Sequence, residues 1–191
     1  MGKGLKTILI AAAVAILIFI PVIGSYNRMV ALEQAVNQSQ SDIDTQLQRR
    51  LDLVPNLVET VKGYAAQEKE ILTAVAEARS KLAGSTTITE RAEADNELSG
   101  ALSRLLVVVE NYPNLKSDQN FRDLSVALEG TENRINIARK DYNNIVGQYN
   151  TTIRRFPGSI VAGMFGFEQK PYYKAAQGAQ EVPKVDFSTV K

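Results

Sequence analysis

Leu47-Gln-Arg-Arg-Leu-Asp-Leu-Val-Pro-Asn-Leu-Val-Glu-Thr-Val61 is the stretch on which the fold turns. Its apolar side chains step by three and four: Leu47, Leu51, Val54, Val58, Val61. That is the period of a helix with one face against a core. The stripe extends both ways, through Met29, Leu32, Val36 and Ile43 upstream and Ala65, Leu72, Val75 and Leu82 downstream. From Leu47 onward the heptad phase never slips. Pro55 interrupts it, withholding a hydrogen bond from the Leu51 carbonyl and crowding it. Two structures fit. One is a single long helix kinked at Pro55. The other stops near Asp52 and restarts, with Asp52 as N-cap and Pro55 in the first turn. No Gly or Asn lies between Leu51 and Val54 to reverse the chain, and the phase is unbroken, which favours the kinked helix. The stripe holds two charged members, Glu68 and Arg79. They are expected at a solvated edge of the seam or paired with charges on a neighbouring helix.

Upstream of the stripe, no charged side chain occurs between Lys6 and Arg28. Thr7 to Ile23 would make a helix of roughly 25 Å, close to the roughly 30 Å of bilayer hydrocarbon. It has no polar face, and a helix closes its own backbone hydrogen bonds, so a bilayer can hold it. Tyr26 follows as an interfacial anchor. The rival is a cleaved signal peptide, with Lys3 and Lys6 as basic region and Val22-Ile-Gly24 as cleavage site. Val at one site position, Pro21 just upstream and the length of the run all count against it. A retained transmembrane helix is the expectation. Lys3 and Lys6 precede the run and only Arg28 follows closely, so the N-terminus stays in the cytoplasm and the body lies outside it. The expected localisation is the cell (inner) membrane, single-pass.

Downstream, Gly84 and Ser85-Thr-Thr form a joint, and Thr87 with Glu90 matches a capping box. A second helix carries Leu98, Leu102, Leu105, Val109 and Tyr112. Leu105-Leu-Val-Val-Val109 is apolar on more than one face, so this helix is expected to be the most buried. Pro113 ends it. The third helix places Phe121, Leu124, Leu128, Thr131, Ile135, Ala138, Tyr142, Ile145, Tyr149, Thr152 and Phe156 on one stripe. Gly130 inside it costs roughly 1 kcal/mol against alanine, and close approach of another helix is the expected reason. Glu129, Thr131, Glu132, Asn133 and Arg134 form a polar cluster. It reads first as an exposed helix face and second as a ligand patch around Arg134. Pro157-Gly158 stops the helix. Ile160 to Phe167 is too short to span a bilayer and is expected to pack on the bundle end, with insertion at a lipid surface as the alternative. The tail from Lys174 is extended or disordered by composition, with Val185 and Phe187 able to dock.

The organisation is therefore residues 1–27 as membrane anchor, 28–173 as helical bundle and 174–191 as tail. Net charge is +1, with no basic block, so no nucleic acid is implied. The chain has no Cys and no His. Disulfides, thiol nucleophiles, the commonest general base and the commonest metal ligand are thereby excluded. A hydrolase would need a Ser-Lys dyad, a carboxylate pair or a carboxylate metal site. Its candidates, Glu59, Glu68, Glu70 and Glu77, read more simply as solvated helix faces. No catalytic, cofactor or metal residue is assigned. Met29 to Leu47 is the part of the first stripe least covered by a short second helix. It is expected to join neighbouring copies as a parallel coiled coil, through Leu32, Val36 and Ile43, giving a homo-oligomer.

QLQRRLDLVPNLVETVKGYAAQE (Gln46 to Glu68), LLVVVENYPNLKSDQNF (Leu105 to Phe121), LEGTENRINIARKDYNNIVGQYNTTIRRFP (Leu128 to Pro157) and FGFEQKPYY (Phe165 to Tyr173) strongly resemble the LemA family of bacterial membrane proteins. The strings occur in family order. One departure is Ser39-Gln-Ser41, where relatives often carry a tryptophan before the serine. The resemblance implies an N-terminal anchor and an antiparallel up-and-down bundle of four helices, which favours a break at Pro55. It also implies other membrane proteins, such as envelope proteases, as partners. The fold class expected is all-α: a transmembrane helix, then an antiparallel bundle of three to four long helices. The function expected is a membrane-anchored, non-catalytic scaffold or adaptor of the bacterial envelope, with a ligand-binding module at Arg134 as the alternative.

Overall fold

A computed structural model describes residues 3–174. Among them every regular element is a helix: α1 (Lys3–Lys62), α2 (Lys69–Gly84), α3 (Ile88–Val109), α4 (Pro113–Ser117), α5 (Gln119–Arg154) and α6 (Gly158–Phe165). The chain forms two compact units. Of the described residues, one contains α1 up to Gln46 and Asn133–Tyr172; the other contains Leu47–Glu132 and Tyr173. The expected 28–173 bundle is thus divided, and α1 and α5 each contribute to both units. Val185 and Phe187 lie outside the described residues.

In the second unit α1 runs through Pro55 without ending. The reversal comes later, at Gly63–Glu68, where Tyr64 N and Ala65 N both bond the Val61 carbonyl, at 3.0 and 2.8 Å. Neither a helix continuous to Leu82 nor a break at Pro55 is found. The unbroken heptad phase misled because it reports which positions face a core: Val61, Ala65, Leu72 and Val75 are all buried on both sides of the turn. It does not require helical backbone between them.

Four long segments then alternate in direction. Arg79 of α2 reaches the Leu51 carbonyl of α1 at 3.0 Å, Tyr112 beyond α3 reaches Glu68 at 2.7 Å, and Tyr64 beyond α1 reaches Asp118 before α5 at 3.1 Å. The ends of α1 and α3 therefore share a level with the starts of α2 and α5, which is the up-and-down bundle expected. Its core holds Val54, Val61, Val75, Leu98, Leu105 and Leu115, each almost fully buried, and each such side chain contributes about 1.5–3 kcal/mol. The two charged stripe members find specific partners, Arg79 a backbone carbonyl and Glu68 a tyrosine hydroxyl.

The α2–α3 joint forms the expected capping box. Thr87 Oγ1 accepts from Glu90 N at 3.2 Å, and the Glu90 carboxylate accepts from Thr87 N and Thr86 N at 3.0 and 2.9 Å. α3 buries nine of its 22 residues, against four of 16 in α2, in line with the expectation for this helix, but not on every face. Leu105 and Val109 point inward, while Leu106 and Val107 stand exposed. Among the described residues, the outer face of α3 at Leu106 and Val107 is left uncovered. Gly130 is not a close-approach glycine either: a Cβ there would meet nothing within 4 Å.

The first unit brings α1 up to Gln46 together with α5 from Asn133, α6 and an extended strap, residues 167–172. Met29, Val36 and Ile43 are buried there with Ile135, Tyr142, Val146 and Tyr149. Of the stripe expected to serve a second copy, Val36 and Ile43 are covered within the chain and Leu32 is half-buried. The expectation weighed only a short second helix as cover, whereas α5 has 36 residues and its second half lies in this unit.

The strap accounts for part of the FGFEQKPYY string. Buried Asn150 reads the backbone of Lys170 with both ends of its amide, donating to the carbonyl and accepting from the amide at 2.9 Å each. Lys170 Nζ pairs with Glu33 at 2.6 Å and lies 5.8 Å from the Tyr149 ring centroid. Its hydrogen bond to Glu33 holds the ammonium above its ordinary pKa. Tyr142 donates to the Pro171 carbonyl at 2.9 Å.

α5 ends at Arg154, so Phe156, assigned to its stripe, projects from the turn and is 81% exposed. Gly158 makes the close approach that Gly130 does not: a Cβ on it would press on the Thr152 carbonyl oxygen and lie 2.9 Å from Met29 Cε. α6 packs Gly158, Val161 and Ala162 inward, as expected of a segment on the bundle end. Among the described residues no helix is long and apolar enough to cross a membrane. The apolar run of α1 includes positions 5–7, 14, 15 and 18, whose side chains lie outside that description.

Candidate functional site

Three charged side chains on three helices of the second unit meet in its interior. Arg50 of α1 is 2% exposed and Asp95 of α3 is wholly buried. Arg50 Nη1 donates to Asp95 Oδ1 at 2.5 Å and to Ser99 Oγ at 3.1 Å. Arg50 Nη2 donates to Glu132 Oε2 on α5, and Ser99 donates to the same oxygen at 3.3 Å. One guanidinium thus holds two carboxylates, a shape that its planar fork suits better than an ammonium would. A buried charge is tolerated only when paired and hydrogen-bonded, so the three helices are locked in one arrangement.

This network floors a groove of about 500 Å³ between α3 and α5, with Leu102, Leu106 and Val126 on its sides. Two polar atoms on its lining, Arg50 Nε and Ser125 Oγ, are buried without a hydrogen-bond partner. Such atoms are uncommon in folded interiors. The groove can receive an apolar group carrying an acceptor. Its one hydroxyl beside a carboxylate is Ser99, and that carboxylate, Glu132, is held by Arg50.

The polar cluster around Arg134 is separated by the fold. Thr131 turns inward and donates to the Leu128 carbonyl at 2.7 Å, and Glu132 joins Arg50. Glu129 borders the α3–α5 groove. Arg134 belongs to the first unit, beside a shallow groove of about 220 Å³ with Asp42, Gln46 and Asp141. The four carboxylates considered for catalysis do not converge. Glu59 pairs with Lys62 at 2.6 Å, Glu68 accepts from Tyr112, and Glu70 and Glu77 are exposed. Among the described residues no group of three or more acidic side chains could hold a metal ion.

Arg50 was not singled out from the sequence, although a signal exists. It lies three residues after Leu47 and four before Val54, inside the buried stripe. Asp95 lies three before Leu98, and Glu132 lies four after Leu128 and three before Ile135. Each is a charge at a core spacing, but the sequence does not show that the three face one another.

The family model for LemA matches residues 39–187. The chain belongs to the LemA family. The matched region includes Arg50, Asp95, Glu132 and the strap, and it begins after the apolar run of α1. Among curated LemA-like relatives, Magnetosome protein MamQ 2 of Paramagnetospirillum magneticum is 25% identical over 205 residues, covering 91% of this chain and 74% of its own. Magnetosome protein MamQ of Magnetospirillum gryphiswaldense is 26% identical over 201 residues, with the same coverage. Protein LemA of Metamycoplasma hominis is 24% identical over 168 residues, covering 87% of this chain and 75% of its own.

Proposed function

We propose that this LemA-family protein is a membrane-anchored, non-catalytic helical scaffold or adaptor of the bacterial envelope. One observation carries the reading. Within the first unit, α1 changes character along its length. Ile8, Leu9, Ile10, Leu17, Phe19 and Ile23 stand in the open, Leu17 at 76%, whereas Met29, Val36 and Ile43 are buried. A contiguous exposed apolar surface of this kind marks an interaction site. A bilayer suits it, because the helix needs no external backbone partner and the side chains need no polar one. Lys3 and Lys6 ahead of the run favour a cytoplasmic N-terminus, with the helical units on the other side. Other membrane proteins are the natural partners of a body held in this way. Photo-crosslinkers at exposed Val107 and Val126 in full-length protein test the adaptor role in cells. The expected product is a reproducible adduct with another integral membrane protein. No adduct at either position would contradict it.

A second reading, a binding module for a small envelope ligand, is favoured by the unpartnered Arg50 Nε and Ser125 Oγ at the α3–α5 groove. It moves the site away from Arg134. Thermal-shift screening with cell-wall fragments separates the two readings. Stabilisation that is lost in Ser125→Ala supports the groove, and a shift lost only in Arg134→Ala supports the patch.

A further inference from the structure

α6 uses one face and leaves the other. Gly158, Val161 and Ala162 are buried, while Phe156 just before the helix, Ile160, Met164 and Phe165 are exposed. Single exposed apolar residues are ordinary, but four large ones within ten positions form a patch. The patch adjoins the apolar run of α1. The Tyr26 ring packs against Phe165 at 4.8 Å and Phe167 at 5.7 Å between centroids. Tyr26 lies three residues beyond Ile23, the last exposed aliphatic of that run.

Positive charge flanks the same end of the unit. A pocket of about 860 Å³ beside Phe156 and Gly158 is lined by Ser25, Arg28, Asn143 and Arg155 among other polar groups. Its described lining holds two guanidinium groups and no carboxylate. Arg154, on the last turn of α5, is exposed beside them. Large apolar side chains next to arginines, at the level where an apolar helix emerges, match what a lipid interface requires. The apolar groups enter the acyl region, and the guanidiniums take up phosphate oxygens.

We infer that this end of the first unit is a binding site for an anionic phospholipid surface. Phe156, Ile160, Met164 and Phe165 insert beside α1, and Arg28, Arg154 and Arg155 hold headgroup phosphates of the same leaflet. This rests on the reading of α1 as a membrane anchor. It adds a second attachment, which fixes the tilt of the unit on the membrane instead of leaving it to pivot on one helix.

The chain has no Trp, so a single one reports its own surroundings. Met164→Trp, Ile16→Trp and Val107→Trp, each in the full chain, are reconstituted in vesicles of brominated phosphatidylcholine with phosphatidylglycerol. Bromine quenches indole only within the acyl region. Trp at 16 and at 164 is expected to lose most of its emission, and Trp at 107 to keep it. Quenching at 164 is expected to fall when phosphatidylglycerol is left out, and when Arg28, Arg154 and Arg155 are all replaced by Gln. Quenching at 16 with none at 164 overturns the lipid site and leaves the anchor standing. No quenching at either position overturns the anchor and the site together. Quenching at 164 that ignores both the anionic lipid and the Gln substitutions overturns the phosphate contact.

Discussion

Arg79 Nε donates a 3.0 Å hydrogen bond to the Leu51 carbonyl, the group that Pro55 leaves without its helical donor. A proline in a helix interior normally breaks or kinks the helix. Here α2 folds back along α1 and supplies the missing donor from a side chain, so α1 continues to Lys62. The charge at position 79 and the proline at 55 therefore belong to one device.

Its test is a double-mutant cycle. Arg79→Met keeps the stem and removes the donor, and it should cost about 1–3 kcal/mol in urea unfolding, as for a polar group left unsatisfied. In a Pro55→Ala background the amide of residue 55 can serve the carbonyl, so the same substitution should cost little. An equal cost in both backgrounds would show that the hydrogen bond does not carry the effect.

The Arg50 network predicts strong coupling between α1 and α3. Arg50→Met takes the guanidinium from buried Asp95 and should destabilise by about 3–5 kcal/mol. Arg50→Met with Asp95→Leu removes the two fully buried charges and leaves only Glu132, which is 36% exposed and can be solvated, so it should recover most of that loss. Chemical denaturation of the two variants measures it, and additive costs would argue against the network.

Two glycines should respond in opposite directions. Gly130 faces open space, so Gly130→Ala should raise stability by roughly 1 kcal/mol through helix propensity alone. Gly158→Ala should lower the melting temperature, because its Cβ would crowd the Thr152 carbonyl and Met29.

The capping box predicts a pH dependence. Backbone hydrogen bonds from Thr86 and Thr87 hold the Glu90 carboxyl down at about 2 against 4.5. A depressed carboxyl contributes stability above its unfolded pKa and loses it as pH falls through the folded one. The melting temperature of Glu90→Ala should therefore lie below that of the parent at pH 7. The gap should close between pH 4.5 and 2.

Much of the second unit was legible from spacing. Leu47, Leu51, Val54, Val58 and Val61 are buried as their period requires, and Thr87 with Glu90 caps α3. The reversal was not legible, because Gly63–Glu68 lacks an Asn-Gly or Pro-Gly signal and the buried phase continues across it. Coverage was not legible either. Met29, Val36 and Ile43 announce a buried face, but not whether α5 or another molecule buries it. The site was hidden for a related reason. Arg50, Asp95 and Glu132 are 45 and 37 residues apart in sequence, and only the up-and-down topology brings them together. A lone charge at a core spacing looks like an edge position until its partner is known.

The central claim of the proposed function is that α1 crosses a membrane and leaves the helical units on the far side from its N-terminus. The chain has no native Cys, so the single substitutions Gly4→Cys and Lys140→Cys, the second at an exposed position of α5, can be compared directly. Spheroplasts producing full-length protein are treated with a membrane-impermeant maleimide before and after lysis, and the membranes are pelleted. The expected result is protein in the membrane pellet, with the Lys140→Cys variant labelled in intact spheroplasts and the Gly4→Cys variant labelled only after lysis. Protein recovered in the soluble fraction, or a thiol at position 4 labelled in intact spheroplasts while one at position 140 is shielded, would contradict it.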